Sequence, residues 1–361
     1  MNIQNCLSFD LKMLMALKSN ILQILFLLVS VTSISIAQDI HFTMFDLSPL
    51  TLNPALIGDF NGTFRVTGNY RIQWPTIAKY TTPSYGIDAP LFTGLRKDDW
   101  ISVSLAVAQD KSGESAFQTK RTSAWLGGSY HAVLNKKTGS ILSLGVQSGS
   151  TTRGYLGTPR FGDPTDPVYQ ASSPSTGGNK LTNKKSNNDL NIGLLYRTSL
   201  NKEQTSFLNM GVSMYHLSIS KKNAQTNQGG AVNNPKQSTL LNAHAQVRIQ
   251  SSDILAFIPG VVIHSLKGNF EVAGQLKGEL LINKEMDFAI QAGAGYRVGD
   301  AAFAIFGARY KDFIGGLAYD FNLSGATQST SGVGGYELGV SYIAKIYKKP
   351  VVKPVIFCPR F

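Results

Sequence analysis

Residues 62–74, GTFRVTGNYRIQW, alternate without a break. Phe64, Val66, Gly68, Tyr70, Ile72 and Trp74 share one parity; Thr63, Arg65, Thr67, Asn69, Arg71 and Gln73 share the other. A helix would mix the two sets on every face, whereas a strand separates them cleanly. The pattern recurs along the chain. Leu208, Met210, Val212 and Met214 alternate with polar or small residues, and Leu241, Ala243, Ala245, Val247 and Ile249 oppose Asn242, His244, Gln246, Arg248 and Gln250. Strands of soluble sandwiches average about five or six residues and turn the polar face to water. These segments reach the roughly nine to eleven residues that a tilted strand needs to cross a bilayer. Charge then fixes the facing. Arg or Lys turned to lipid at the midplane costs about 2–4 kcal/mol, and a one-residue slip would expose both Arg65 and Arg71.

The pattern predicts fourteen strands: 62–74, 80–90, 100–109, 117–134, 140–149, 189–198, 206–216, 238–250, 254–264, 269–282, 287–298, 301–310, 313–322 and 335–347. An even count suits a closed antiparallel barrel of the outer-membrane type. The connections agree in parity. The long ones, 150–188, 217–237 and 323–334, all fall at one end, and the short ones, including 135–139 and 311–312, at the other. Outer-membrane barrels keep their short turns on the periplasmic side. The fold class is all-β, a transmembrane antiparallel barrel of about fourteen strands. Only 16% of residues are charged, against roughly 25% in soluble proteins.

Lys12 and Lys18 precede the apolar run 21–37, which ends Ser35-Ile36-Ala37. This is the pattern of an export signal cleaved after Ala37. The expected organisation is a signal peptide at 1–37, an N-terminal periplasmic or plug segment at 38–61, the barrel at 62–347 and a periplasmic C-terminal tail at 348–361. Cys6 leaves with the signal, so Cys358 remains alone and builds no internal disulfide or cysteine metal site. The formal net charge is +12, but its Lys and Arg are scattered in ones and twos. They suit a lipid-phosphate surface, and no nucleic-acid partner is expected.

Catalytic patterns are missing from the sequence. Its five histidines lack the HExxH spacing of a metal site, and no G-x-S-x-G nucleophile elbow occurs. The expectation is a non-enzyme with no cofactor and no metal. Arg65, Arg71, Arg248, Glu271, Lys277, Glu279, Asp287, Arg297, Glu337 and Lys345 fall on inward positions, with both signs represented. Such a lumen favours mutual pairing over an ion-selective pore.

The stretches QDIHFTMF, LTLNPALIG and RVTGNYRIQWP, with the ending CPRF, resemble the PorP/SprF family of outer-membrane proteins of type IX secretion and gliding motility in Bacteroidota. The residues that carry the resemblance are Asn53, Pro54, Ala55, Gly58, Arg65, Arg71, Gln73, Trp74, Pro75, Pro359, Arg360 and Phe361. The resemblance implies an accessory barrel that binds secretion or gliding machinery proteins, or that anchors or secretes a cognate cell-surface adhesin. It implies no conduction of exported substrate. Ile40 and Leu56-Ile57 depart from the usual family pattern and leave the subtype open. The alternative is a FadL-like transporter of hydrophobic small molecules, a family that also carries Asn-Pro-Ala in its plug.

Overall fold

The computed structural model describes residues 39–76, 79–96, 98–114, 117–157, 182–217, 238–325 and 327–346. The strands are β1 (Phe64–Gln73), β2 (Tyr80–Thr93), β3 (Trp100–Glu114), β4 (Phe117–Asn135), β5 (Ser140–Gly157), β6 (Thr182–Ser199) and β7 (Phe207–Tyr215). They continue with β8 (Leu240–Gln250), β9 (Leu255–Leu266), β10 (Asn269–Asn283), β11 (Phe288–Arg297), β12 (Ala301–Tyr310), β13 (Phe313–Asn322) and β14 (Val333–Ala344). Each pairs antiparallel with its neighbours in sequence. β1 closes on β14, with Phe64 opposite Ala344 and Gln73 opposite Gly335, so no edge is left unpaired.

The alternation sorts as its chemistry requires. On β1, Arg65, Thr67, Asn69, Arg71 and Gln73 are buried, while Val66 and Tyr70 point out. Leu126, Phe306 and Tyr85 are 68%, 65% and 64% exposed. An apolar exterior of this kind is stable only against lipid.

Three details differ from the sequence expectation. β5 and β6 run past residue 149 and begin before 189, with Thr152 opposite Ser186 and Arg153 opposite Lys185. Polar residues on both faces pair there with no apolar period to reveal them. The two ends of the expected loop 150–188, residues 150–157 and 182–188, are therefore strand, and 158–181 lies outside the described residues. Second, Trp74 leaves the outward row. It adopts φ 48°, donates its amide to the Gly334 carbonyl (2.8 Å), and sets its ring edge-on to Tyr80 with centroids 5.6 Å apart. Pro75 follows with no amide hydrogen to extend the ladder. Third, Asp287 and Lys345 do not line the lumen. Asp287 sits exposed in the β10–β11 turn and pairs with Arg309, and Lys345 lies beyond the end of β14 and pairs with Asp312.

The core lies inside the barrel. Met44 and Leu47 pack on Phe303, Ile305 and Ala318 of β12 and β13. Leu50 and Ile57 pack on Ala106, Ala108 and Trp125 of β3 and β4. Phe45 and Leu52 pack on Val262 and Ala273 of β9 and β10. Residues 39–61 thus touch three separated arcs of wall from within.

Candidate functional site

Segment 39–61 is built from short turns: a 3-10 turn at Phe45–Leu47, a helical turn at Pro49–Leu52 and a second 3-10 turn at Pro54–Leu56. Pro49 and Pro54 each open a turn, where a missing amide hydrogen costs nothing. Asp39 lies toward the long-loop end, beside Arg121 of β4 and His216 just beyond β7. Asn61 and Gly62 meet the start of β1 at the short-turn rim.

Asn53 is fully buried against the wall. Its Nδ2 donates to the Leu194 carbonyl (3.1 Å) and the Val212 carbonyl (3.3 Å) and lies 3.1 Å from His244 Nε2. Its Oδ1 accepts from the Ala55 amide (2.9 Å), capping the turn that Pro54 begins. This approach needs a wall without side chains. A Cβ on Gly193 would stand 1.9 Å from Asn53 Oδ1, and one on Gly145 would stand 2.2 Å from the Pro54 carbonyl.

Gly58 and Arg65 converge on Asp88 of β2. The Gly58 amide donates to Asp88 Oδ2 (2.6 Å), and Arg65 donates from Nε to Oδ1 (3.0 Å) and from NH2 to Oδ2 (2.7 Å). Arg65 also donates to the Leu56 carbonyl (2.9 Å) and lies over the Phe60 ring. Gly58 has φ 70°, the left-handed region, and a Cβ there would stand 1.9 Å from Ser102 Oγ. Its carbonyl accepts from Trp100 Nε1 (3.2 Å).

Arg71 belongs to a second network. It donates to Asp320 Oδ2 (3.0 Å) and to the His41 carbonyl (3.0 Å), and Arg297 shares the same Asp320 oxygen (3.2 Å). Arg297 also donates to Thr43 Oγ1 (3.0 Å). Glu337 receives two amides of the segment, Thr43 N (2.6 Å) and Met44 N (2.9 Å). Lys277 pairs with Asp46, and Arg248 with Glu279 (2.8 Å).

The top of the segment is held by a third network. The His216 ring bridges Asp39 (2.8 Å) and Asp189 (2.9 Å), and Asp189 also accepts from Trp125 Nε1 (2.9 Å). Burial opposes ionisation of Asp39, but Arg121 and His216 outweigh it and hold the carboxyl well below its usual range. Burial opposes the charged His216 ring too, yet its two carboxylate partners raise its pKa. His41 behaves oppositely. Burial lowers it to about 4, aided by Arg71 and Arg297 and resisted by Glu271.

The structure therefore gathers Asn53, Pro54, Ala55, Gly58, Arg65 and Arg71 into contacts between segment and wall. Gln73, Trp74 and Pro75 stand apart at the long-loop rim, and Pro359, Arg360 and Phe361 lie outside the described residues, as does the expected signal segment 1–37. Sequence reasoning passed over Asp88, Asp320, Asp189 and His216. The available signal was a single carboxylate on an inward position among small residues, as with Asp320 in GGLAYDF. Among the described residues, no group of three or more His, Cys, Asp or Glu side chains is placed to hold a metal ion.

A closed fourteen-stranded barrel with a lipid-facing exterior and a segment packed within it defines an outer-membrane β-barrel protein. The family model for the type IX secretion system membrane protein PorP/SprF matches residues 34–342, and the chain belongs to that family. No curated protein matches the sequence. Among solved structures, the toluene transporter TbuX of Ralstonia pickettii is similar at 10% identity and a TM-score of 0.49, covering 83% of this chain and 94% of its own. A FadL homologue of Pseudomonas aeruginosa is similar at 14% identity and a TM-score of 0.47, covering 80% and 92%.

Proposed function

We infer that this barrel is a non-enzymatic accessory component of type IX secretion, which binds secretion or gliding machinery subunits or anchors a cognate surface adhesin. The observation that carries the reading is the packed interior. Segment 39–61 contacts the wall around most of its circumference, and the charges it meets are taken up in ion pairs or, at Glu337, by two of its own amides. A lumen organised as a core leaves the rims, and the C-terminal tail that follows β14, as the places for a partner to bind. The signature residues Asn53, Gly58, Arg65 and Arg71 then act by fixing the segment, which keeps the rims in one shape.

The test is affinity purification of the tagged chain from native membranes under gentle extraction, followed by mass spectrometry. Co-purification of secretion or gliding components, or of a surface adhesin, is expected. Their complete absence, together with a greasy small molecule retained by the barrel or uptake lost on gene deletion, would favour the FadL-like transporter instead. Deleting residues 348–361 should weaken capture while leaving a folded, heat-modifiable barrel. A truncated chain that fails to assemble would make the tail a folding signal.

A further inference from the structure

At the short-turn end, between segment 39–61 and the rim, lies a cavity of about 730 Å³. This volume falls within the roughly 300–1,000 Å³ typical of ligand sites. Phe45, Leu52, Leu56, Phe60, Phe207 and Ile343 supply apolar walls. Its charged members are already committed: Arg65 to Asp88, Arg197 to Asp59 and Asp46 to Lys277. Asn209 Oδ1, Gln246 Nε2 and Asp46 Oδ1 face it without hydrogen-bond partners among the described residues, so the cavity suits a mainly apolar occupant that brings a few polar groups, and unfilled it would leave aromatic and aliphatic surface against water.

We propose that this cavity is the resting site of the chain's own C-terminal tail, with residues 351–357, VVKPVIF, as the occupant. The position of β14 argues for it. Ile343 of β14 lines the cavity, the strand ends at Ala344, and the Ile346 amide is tied to Thr63 Oγ1 (2.9 Å) at the same rim. Residues 347–361 follow from that point. An extended chain spans up to ~3.3–3.6 Å per residue, so the tail reaches any part of the mouth.

Its chemistry suits the walls. Val351, Val352, Val355, Ile356 and Phe357 are apolar, and Pro350 and Pro354 bring no amide hydrogens needing partners. Lys348 and Lys349 precede the apolar run and can stay in water, while Lys353 within it can turn its ammonium to Asp46 Oδ1 or Asn209 Oδ1, cavity atoms that have no hydrogen-bond partner among the described residues. Tethering also helps, because a short flexible linker gives an effective concentration on the order of millimolar. Even a weak contact is then substantially occupied. A partner that takes the tail must first draw it out of the barrel, so tail capture and cavity occupancy exclude one another. The placement is independent of which partner the barrel serves.

Cys358 provides the probe, being the only thiol once Cys6→Ser is made. In the full-length chain, Ser199→Cys and Phe207→Cys place a second thiol on the cavity wall, and Asp253→Cys places one on a rim turn outside it. All three are assembled in lipid, checked for heat-modifiable folding, and exposed to a mild oxidant. Disulfide to Cys358 should form at least about tenfold faster at positions 199 and 207 than at 253, as expected for a docked rather than a freely diffusing tether. Equal rates at all three positions, or no cross-link at the two cavity positions, would overturn the proposal. The cavity would then belong to solvent or to a partner's peptide.

Discussion

Asp88 is the residue on which the signature converges. It is buried, it accepts both a bidentate arginine and a backbone amide, and its partners come from β1 and from segment 39–61. Removing it strands the Arg65 guanidinium in a site built for a pair, which typically costs about 3–5 kcal/mol. Asp88→Ala should therefore lower the temperature at which the folded electrophoretic form is lost, and Asp88→Asn should fall between it and the native chain. Asn53 offers a subtler test through the glycine that accommodates it. Gly193→Ala sets a methyl against Asn53 Oδ1, so it should destabilise the native chain yet cost clearly less in an Asn53→Ala background. A coupling of about 0.5–3 kcal/mol is the range for residues in contact, and strict additivity in denaturant titrations would contradict the close packing.

At the scale of the element, segment 39–61 is held by ionisable groups whose signs can be followed. His41 is docked neutral with its pKa lowered to about 4. The released segment takes up a proton more readily, so docking weakens as pH falls from about 6.5 toward 4, by an amount on the order of 3 kcal/mol. Asp39 has a depressed pKa, so its contribution is present above the ordinary carboxylate range and is lost as pH falls further. His216 has a raised pKa, so its contribution is full below the ordinary histidine value and fades as pH rises through the folded one. Retention of the segment should accordingly be greatest near neutrality. Proteolysis of the assembled barrel at 39–61, followed against pH, should accelerate on both sides, and a flat profile would contradict these placements. The sequence made the strands legible because burial on one face and lipid on the other impose period two. It did not show how the segment packs, because LTLNPALIG has no period to read and its fit depends on Gly145 and Gly193, distant in the chain. Asp88 and Asp320 were equally hidden: Asp88 meets Arg65 through the register of the β1–β2 hairpin, and Asp320 meets Arg71 only once β1 closes on β14.

For the whole molecule, the fourteen-strand count, the antiparallel order and the inward Arg65, Arg71 and Arg297 were legible in the sequence. The exceptions lay where water wets both faces, as in the upper parts of β5 and β6, or where a turn interrupts the alternation, as at Trp74 and Asp287. With segment 39–61 packed on three arcs of the wall, the lumen is expected to act as a core rather than a conduit. Ion conductance in planar lipid bilayers tests this most directly, comparing the full-length barrel with one lacking residues 39–61 and checked for folding by heat modifiability. The full-length barrel should show no sustained current, and the deletion should open steady ohmic steps. A full-length barrel that conducts as steadily as the deletion would contradict the claim.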